Sequence, residues 1–203
     1  AVCALRSYAD VLALLSSARQ NLGPLLSAFE VMWPDYWRFA MRHAPGMRNP
    51  FPGDENDYGA YVLVEALGTD PVQDAPRFER WLEGLMETGA VPNAALAQSL
   101  ADGKAFWRIR DASGELPPVW PQHLAFDVGL PVARMDEYVS RCRQALQAQL
   151  PGAQSLFYGH IGDGNLHIIV YQPGADPQPK DQVNALVYGL VREYGGTVSA
   201  EHG

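Results

Sequence analysis

An Asp-Gly pair between two short runs of strand-forming residues is the most constraining feature of this chain. The segment reads His160-Ile161-Gly162-Asp163-Gly164-Asn165-Leu166-His167. Ser155 to Tyr158 before it and Leu166 to Tyr171 after it carry strand residues. Asp and Gly tolerate the positive φ of a tight two-residue turn, so Asp163 and Gly164 predict a β-hairpin. With those two at the turn, Gly162 faces Asn165, Ile161 faces Leu166 and His160 faces His167. Opposed residues share a face, with Cβ atoms roughly 4.5–5.5 Å apart. Two of the five histidines then come within reach of one cation.

Two imidazoles do not complete a divalent site. A carboxylate is the usual third ligand, and it leaves positions open for water or substrate. Glu201 is the candidate. It follows Gly195-Gly196-Thr197-Val198-Ser199-Ala200, which reads as a helix stop and then a short strand able to deliver it beside the hairpin. His202 comes next and points the other way if the backbone stays extended. It is then a free imidazole beside a metal, suited to general-base work near neutral pH. A lone histidine is more often a hydrogen-bonded or exposed residue. A cross-strand pair with a Glu-His-Gly downstream argues for the metal.

The rest of the chain alternates helix and strand signals. Ser7 caps a helix running through Leu15, Leu25 to Met32 reads as a strand, and Pro34 to His43 as a short aromatic helix. Pro45 to Asp57 reads as a loop and Tyr58 to Leu67 as a strong strand. Helices are predicted over Pro76 to Thr88, Ala94 to Asp111 and Arg134 to Leu150, with a strand over Leu124 to Leu130. After a Pro-rich loop from Pro173 to Pro179, Asp181 caps a last helix with Val183, Leu186, Val187, Leu190 and Val191 on one stripe. The fold expected is α+β: a ferredoxin-like antiparallel sheet with helices packed mainly on one face, plus a helical annex. Trp33, Tyr36, Trp37 and Phe39 read as ordinary packing rather than a stacking surface. Asp54-Glu55-Asn56-Asp57 lacks the distal Glu of a calcium loop and reads as solvated.

The run His160 to His167, with Thr197-Val198-Ser199-Ala200-Glu201-His202-Gly203, resembles the C-terminal domain of the FAD-linked oxidases. These flavoproteins include D-2-hydroxyglutarate dehydrogenase, D-lactate dehydrogenase and the FAD subunit of glycolate oxidase. Phe106-Trp107-Arg108-Ile109-Arg110-Asp111 and Phe126-Asp127-Val128-Gly129-Leu130-Pro131 also look like the family pattern.

The resemblance implies a substrate- and metal-side domain in which His160, His167 and Glu201 hold zinc or manganese. It implies that His202 takes a proton from a D-2-hydroxy acid as hydride passes to FAD, and that Arg110 clamps the substrate carboxylate, where a guanidinium fork fits. Without the family, Arg110 reads equally well as a surface arginine on a helix. Asn165, inside the same motif, is taken as a substrate-binding residue. Relatives of the D-2-hydroxyglutarate type carry a lysine where Ala125 stands and an asparagine where Ile169 stands. Those departures weigh against a dicarboxylate substrate. His123 lies two residues from Ala125 and could replace a polar contact, although a strand-end histidine is more often merely solvated.

Charge and composition bound the alternatives. With 15 basic and 23 acidic side chains the net charge is −8 and the pI about 5.0. That excludes the basic footprint of a nucleic-acid binder. No run approaches the ~20 apolar residues of a membrane helix. Cys3 and Cys142 lack metal spacing, so a buried, reduced thiol at Cys142 is expected in a cytoplasmic protein. Gly162-Asp163-Gly164 opens no helix and is not a dinucleotide fingerprint.

The chain lacks an initiator methionine and stops at Gly203, one residue past the expected base. Residues 1–203 are therefore expected to be one C-terminal domain, with an N-terminal FAD-binding domain and a final tail belonging to the longer polypeptide. FAD is expected on that other domain and the isolated chain is expected to be inactive. A stand-alone metal-dependent hydrolase or metal-binding module using the same His/His/Glu set is the alternative. The electron acceptor, and self-association as a homodimer, are left open by the sequence.

Overall fold

The computed structural model describes residues 1–53 and 58–199. The chain divides into two compact units, Ala1–Asp111 and Ala112–Gly203.

The first unit holds strands β1 (Val2–Leu5), β2 (Leu26–Met32), β3 (Ala60–Ala66) and β4 (Asn93–Ala95). They pair in the order β4-β1-β3-β2, and every pairing is antiparallel. Helices α1 (Tyr8–Leu22), α2 (Pro34–His43), α3 (Pro71–Glu87) and α4 (Leu100–Arg110) connect them. Helix α1 starts where Ser7 and Asp10 form a reciprocal capping box. Helix α2 starts at Pro34, whose fixed φ and missing N–H suit the first helical position. All four positions of β1 and the first five of β3 are buried. Trp33, Tyr36, Trp37 and Phe39 are all buried too, and Trp37 stacks on Tyr61 with ring centroids 4.0 Å apart. They are packing residues, as their spacing suggests.

Two boundaries differ from the sequence reading. Asn93–Ala95 is not the start of a helix. It pairs with β1, Val2 opposite Ala95 and Ala4 opposite Asn93, and ladder bonds override the helical preference of the alanines. The helix then begins where the Ser99 hydroxyl accepts from the Asp102 N–H. Helix α3 starts five residues before Pro76, because Asp70 caps the Val72 and Gln73 amides and Pro71 occupies the first turn. Asp54 to Asp57 lie outside the described residues.

The second unit holds β5 (Leu124–Gly129), β6 (Gln154–His160) and β7 (Asn165–Tyr171), with helices α5 (Leu116–Val119), α6 (Met135–Gln149) and α7 (Lys180–Glu193). The strand order is β6-β7-β5, again antiparallel. The stripe Met135, Tyr138, Val139, Cys142, Leu146 of α6 is buried, as are Val183, Val187 and Val191 of α7. The Tyr138 hydroxyl donates to the Val187 carbonyl at 3.2 Å. Asp181 does not cap α7. Pro179 is the cap residue, and Asp181 sits in the first turn, where its charge meets the positive end of the helix dipole. Antiparallel strands joined through helices within each unit bear out the α+β class.

Candidate functional site: a histidine pair on the face of a hairpin

The hairpin exists, but its turn is longer than the sequence suggests. Ile161–Asp163 forms one turn of 3-10 helix and Gly164 takes the left-handed conformation at φ 74°. A Cβ at Gly164 would lie 2.8 Å from the Leu130 carbonyl oxygen, so both φ and space require glycine there. The Leu130 amide donates to the Gly164 carbonyl at 2.8 Å, pinning the turn to the end of β5.

The longer turn changes the register. His167 is opposed to Tyr158, not to His160, and Phe157 is opposed to Ile168. The slip is two residues. A one-residue slip would put every side chain on the other face, whereas two residues restore the face. His160 and His167 therefore still share a face as diagonal neighbours. Their ring centroids are 5.3 Å apart at an interplanar angle of 79°.

β5 adds to the same face. Asp127 is opposed to His167 on the other side, so Tyr158, His167 and Asp127 form one row across three strands. The Tyr158 ring lies 4.9 Å from the His167 ring. Asp127 Oδ1 lies 3.8 Å from His167 Nδ1, with the two side chains 13% and 15% exposed. Neither Tyr158 nor Asp127 was assigned a role from the sequence. The Phe126-Asp127 pattern and the alternation of β5 were the available signals. The next row on this face is apolar: Leu156, Ile169 and Ala125 are opposed in turn. Ala125 and Ile169, where the resemblance leads one to expect lysine and asparagine, are thus direct cross-strand partners.

Asn165 is the first residue of β7 and is 1% exposed. Its side-chain amide has no hydrogen-bond partner among the described residues. It is opposed to Gly129, whose amide and carbonyl both bond to Thr197. Glu201 and His202 lie outside the described residues. Among the described residues no three His, Cys, Asp or Glu side chains are grouped to hold a metal. The two imidazoles suit a divalent cation such as zinc or manganese as nitrogen donors, with further ligands to come from elsewhere.

Arg110 belongs to the first unit, at the C-terminal end of α4. It is not a loose surface arginine. Its Nε donates to Glu30 Oε2 at 2.9 Å, its Nη1 donates to Asp111 Oδ1 at 3.2 Å, and its backbone carbonyl accepts from the Tyr36 hydroxyl. Glu30 is 3% exposed, and nothing in its sequence context marks it as this partner. His123 makes a local contact, Nδ1 to the Trp120 carbonyl at 2.9 Å. A cavity of about 550 Å³ in the first unit, bordered by Leu67, Phe78, Leu100, Lys104 and Trp107, includes none of the site residues expected from the sequence.

Cys3 and Cys142 are free thiols and fully buried. Burial pushes each up to about 12. No helix among the described residues is long and apolar enough to cross a membrane.

The whole chain, residues 1–203, matches the family of FAD linked oxidases, C-terminal domain. It is 34% identical over 196 residues to a rice protein (Oryza sativa subsp. indica) described as a probable mitochondrial D-2-hydroxyglutarate dehydrogenase. That alignment covers 97% of this chain and 34% of the relative. It is 32% identical over 203 residues to the mitochondrial D-2-hydroxyglutarate dehydrogenase of Arabidopsis thaliana, covering 100% of this chain and 35% of the relative. The chain thus spans about a third of the length of these curated relatives. A solved alkyldihydroxyacetonephosphate synthase shares the fold at TM-score 0.65 and 11% identity, over 98% of this chain and 40% of that one. The cytoplasmic location expected from the thiols is corrected here. Both plant relatives are described as mitochondrial, and a reduced buried thiol does not distinguish one reducing compartment from another.

Proposed function

Because the chain belongs to the C-terminal domain family of the FAD-linked oxidases, we propose that it is the substrate- and metal-binding part of a flavoprotein that oxidises a small D-2-hydroxy acid to the 2-oxo acid. FAD, bound on a domain outside residues 1–203, would supply the hydride acceptor. The observation that carries the reading is the same-face histidine pair, His160 and His167.

His160, His167 and Glu201 hold the divalent metal, which when bound polarises the substrate oxygens as a Lewis acid. Support for Glu201 comes from Thr197. It is bridged to Gly129 beside Asn165, and Glu201 follows within roughly 13 Å of extended chain. His202 takes the proton released as the hydroxy acid is oxidised. Asn165 offers its amide to the substrate, and Arg110 offers guanidinium N–H groups to the carboxylate while Glu30 steadies the fork. The apolar row Leu156-Ile169-Ala125 favours a substrate without a second carboxylate on that side. The stand-alone hydrolase reading loses ground, because the match to the flavoprotein family runs the whole length of the chain.

The test uses the full-length protein and the 203-residue chain side by side. The full-length protein should carry a flavin absorption spectrum, which a D-2-hydroxy acid bleaches under anaerobic conditions. The isolated chain should carry none after gel filtration. A stoichiometric flavin on the isolated chain, or a full-length flavin that no 2-hydroxy acid reduces, contradicts the proposal.

A further inference from the structure

Asp127 has no part in the chemistry assigned so far, yet it stands in the row that contains His167. We infer that Asp127 is a positioning residue for the metal site: its carboxylate takes the Nδ1 side of His167 and leaves Nε2 as the donor to the ion. The inference rests on the proposed His160, His167 and Glu201 ligand set.

Three observations support it. The register makes Asp127 and His167 direct cross-strand partners, so backbone pairing rather than a flexible loop sets their separation. Oδ1 approaches Nδ1 at 3.8 Å, beyond hydrogen-bond distance, with both side chains largely withdrawn from water. The opposite flank of the imidazole is taken by the Tyr158 ring at 4.9 Å. His167 is flanked by a ring and a carboxylate, and the next ring along the face is His160.

The chemistry follows from imidazole itself. A neutral ring has one N–H and one lone pair. A carboxylate beside Nδ1 favours the tautomer with hydrogen on that atom and leaves the lone pair on Nε2. It also restrains ring rotation and raises the basicity of the ligand nitrogen. The carboxylate is not itself a ligand, since Asp127 and the two histidines are not grouped for one ion.

The experiment measures Zn²⁺ and Mn²⁺ affinity of the full-length protein by competition with a chromophoric chelator, together with thermal unfolding of the metal-free form. Asp127→Ala should weaken Zn²⁺ binding about 10–100-fold. Asp127→Asn keeps a carbonyl acceptor and the volume, so it should recover part of that loss. Metal-free melting should change little in either variant. Unaltered affinity in Asp127→Ala overturns the inference. So does a variant that melts early when metal-free but binds Zn²⁺ as tightly as the parent, because that is a purely structural role. His160→Ala separates this from failure of the ligand set. If it also binds Zn²⁺ normally, or the parent binds none, the His160/His167/Glu201 reading falls and the Asp127 inference falls with it.

Discussion

The imidazoles of His160 and His167 stand nearly perpendicular, 5.3 Å between centroids, although their backbones are not opposed. The separation comes from a diagonal relationship across β6 and β7, and diagonal neighbours remain within reach of ring side chains. The pair does not depend on the length of the turn, provided the slip is even. Any single insertion or deletion between residues 160 and 167 should turn one ring to the far face.

The proposed roles separate ligand from base. In the full-length protein His160→Ala should lose both bound metal and turnover, since it removes a nitrogen donor and the Lewis-acid contribution together. His202→Ala should keep metal near the parent level and lose about 10²–10⁴-fold in kcat, the usual worth of a positioned base. Metal analysis beside steady-state kinetics decides. If His202→Ala lost the metal as completely as His160→Ala, Glu201 and His202 would have to be reassigned as a joint ligand pair.

How far the sequence carried can be read from these residues. The strands around the histidines and their shared face were legible, because alternation with period two and an Asp-Gly turn signal are local properties. The exact register was not. Gly164 takes its left-handed conformation against the Leu130 carbonyl, a contact from β5 that local reading does not contain. Asn93–Ala95 was missed for the same kind of reason: three unremarkable residues become a strand only because β1 offers them a ladder. Cap signals were mixed. Ser7 marked a real helix start, Ser99 caps a helix whose start was read at Ala94, and Asp181 sits inside a first turn. Glu30 and Asp127 lie 80 and 40 residues from the side chains they serve, a separation no local pattern spans.

Arg110 yields a prediction in which binding and stability come apart. Arg110→Lys keeps the charge but loses the planar fork, so KM should rise and kcat/KM fall. Glu30→Ala should act first on folding. It removes the buried carboxylate from Nε and leaves Asp111 on Nη1, so the cost should be about 1–3 kcal/mol, that of a lost hydrogen bond to a charged group. Urea unfolding alongside kinetics checks both. A Glu30→Ala protein as stable as the parent would show the pair to be dispensable to the fold.

Gly159 precedes His160 on β6, and a Cβ there would overlap the Asn165 carbonyl oxygen of β7. Gly159→Ala should therefore force the two strands apart, at a cost of about 1–3 kcal/mol. It should also weaken metal binding, because the ring separation depends on that pairing. A variant with unaltered metal affinity and melting temperature would mean that the strands yield without moving the histidines.

Substrate choice is testable at Ala125, which is exposed and opposed to Ile169. Ala125→Lys places an ammonium at the edge of the apolar row. It should lower KM for D-2-hydroxyglutarate relative to D-lactate by about tenfold, roughly one charge-assisted hydrogen bond. Equal effects on both substrates would remove this position from the substrate's distal end.

The two thiols predict a loss of stability in alkali. Burial is the main cause that holds Cys3 and Cys142 near 12, against 9.0 for a free thiol. Tyr138 is raised as well, again mainly by burial. In each case the folded state keeps its proton more tightly than the unfolded chain does. Between pH 9 and 12 the folded protein therefore binds more protons, and the free energy of unfolding falls as pH rises through that window. Below pH 9 the contribution is fully present and the curve should be flat with respect to these groups. Urea midpoints measured from pH 7.5 to 10.5 should hold steady and then decline. Cys142→Ala should be less stable at pH 7.5, because it removes a buried group, yet decline less steeply above pH 9. Native protein should also resist a thiol-specific disulfide reagent at pH 8 and react at both cysteines once unfolded. Rapid labelling of the native protein, or a midpoint independent of pH up to 10.5, would contradict the burial that sets these values.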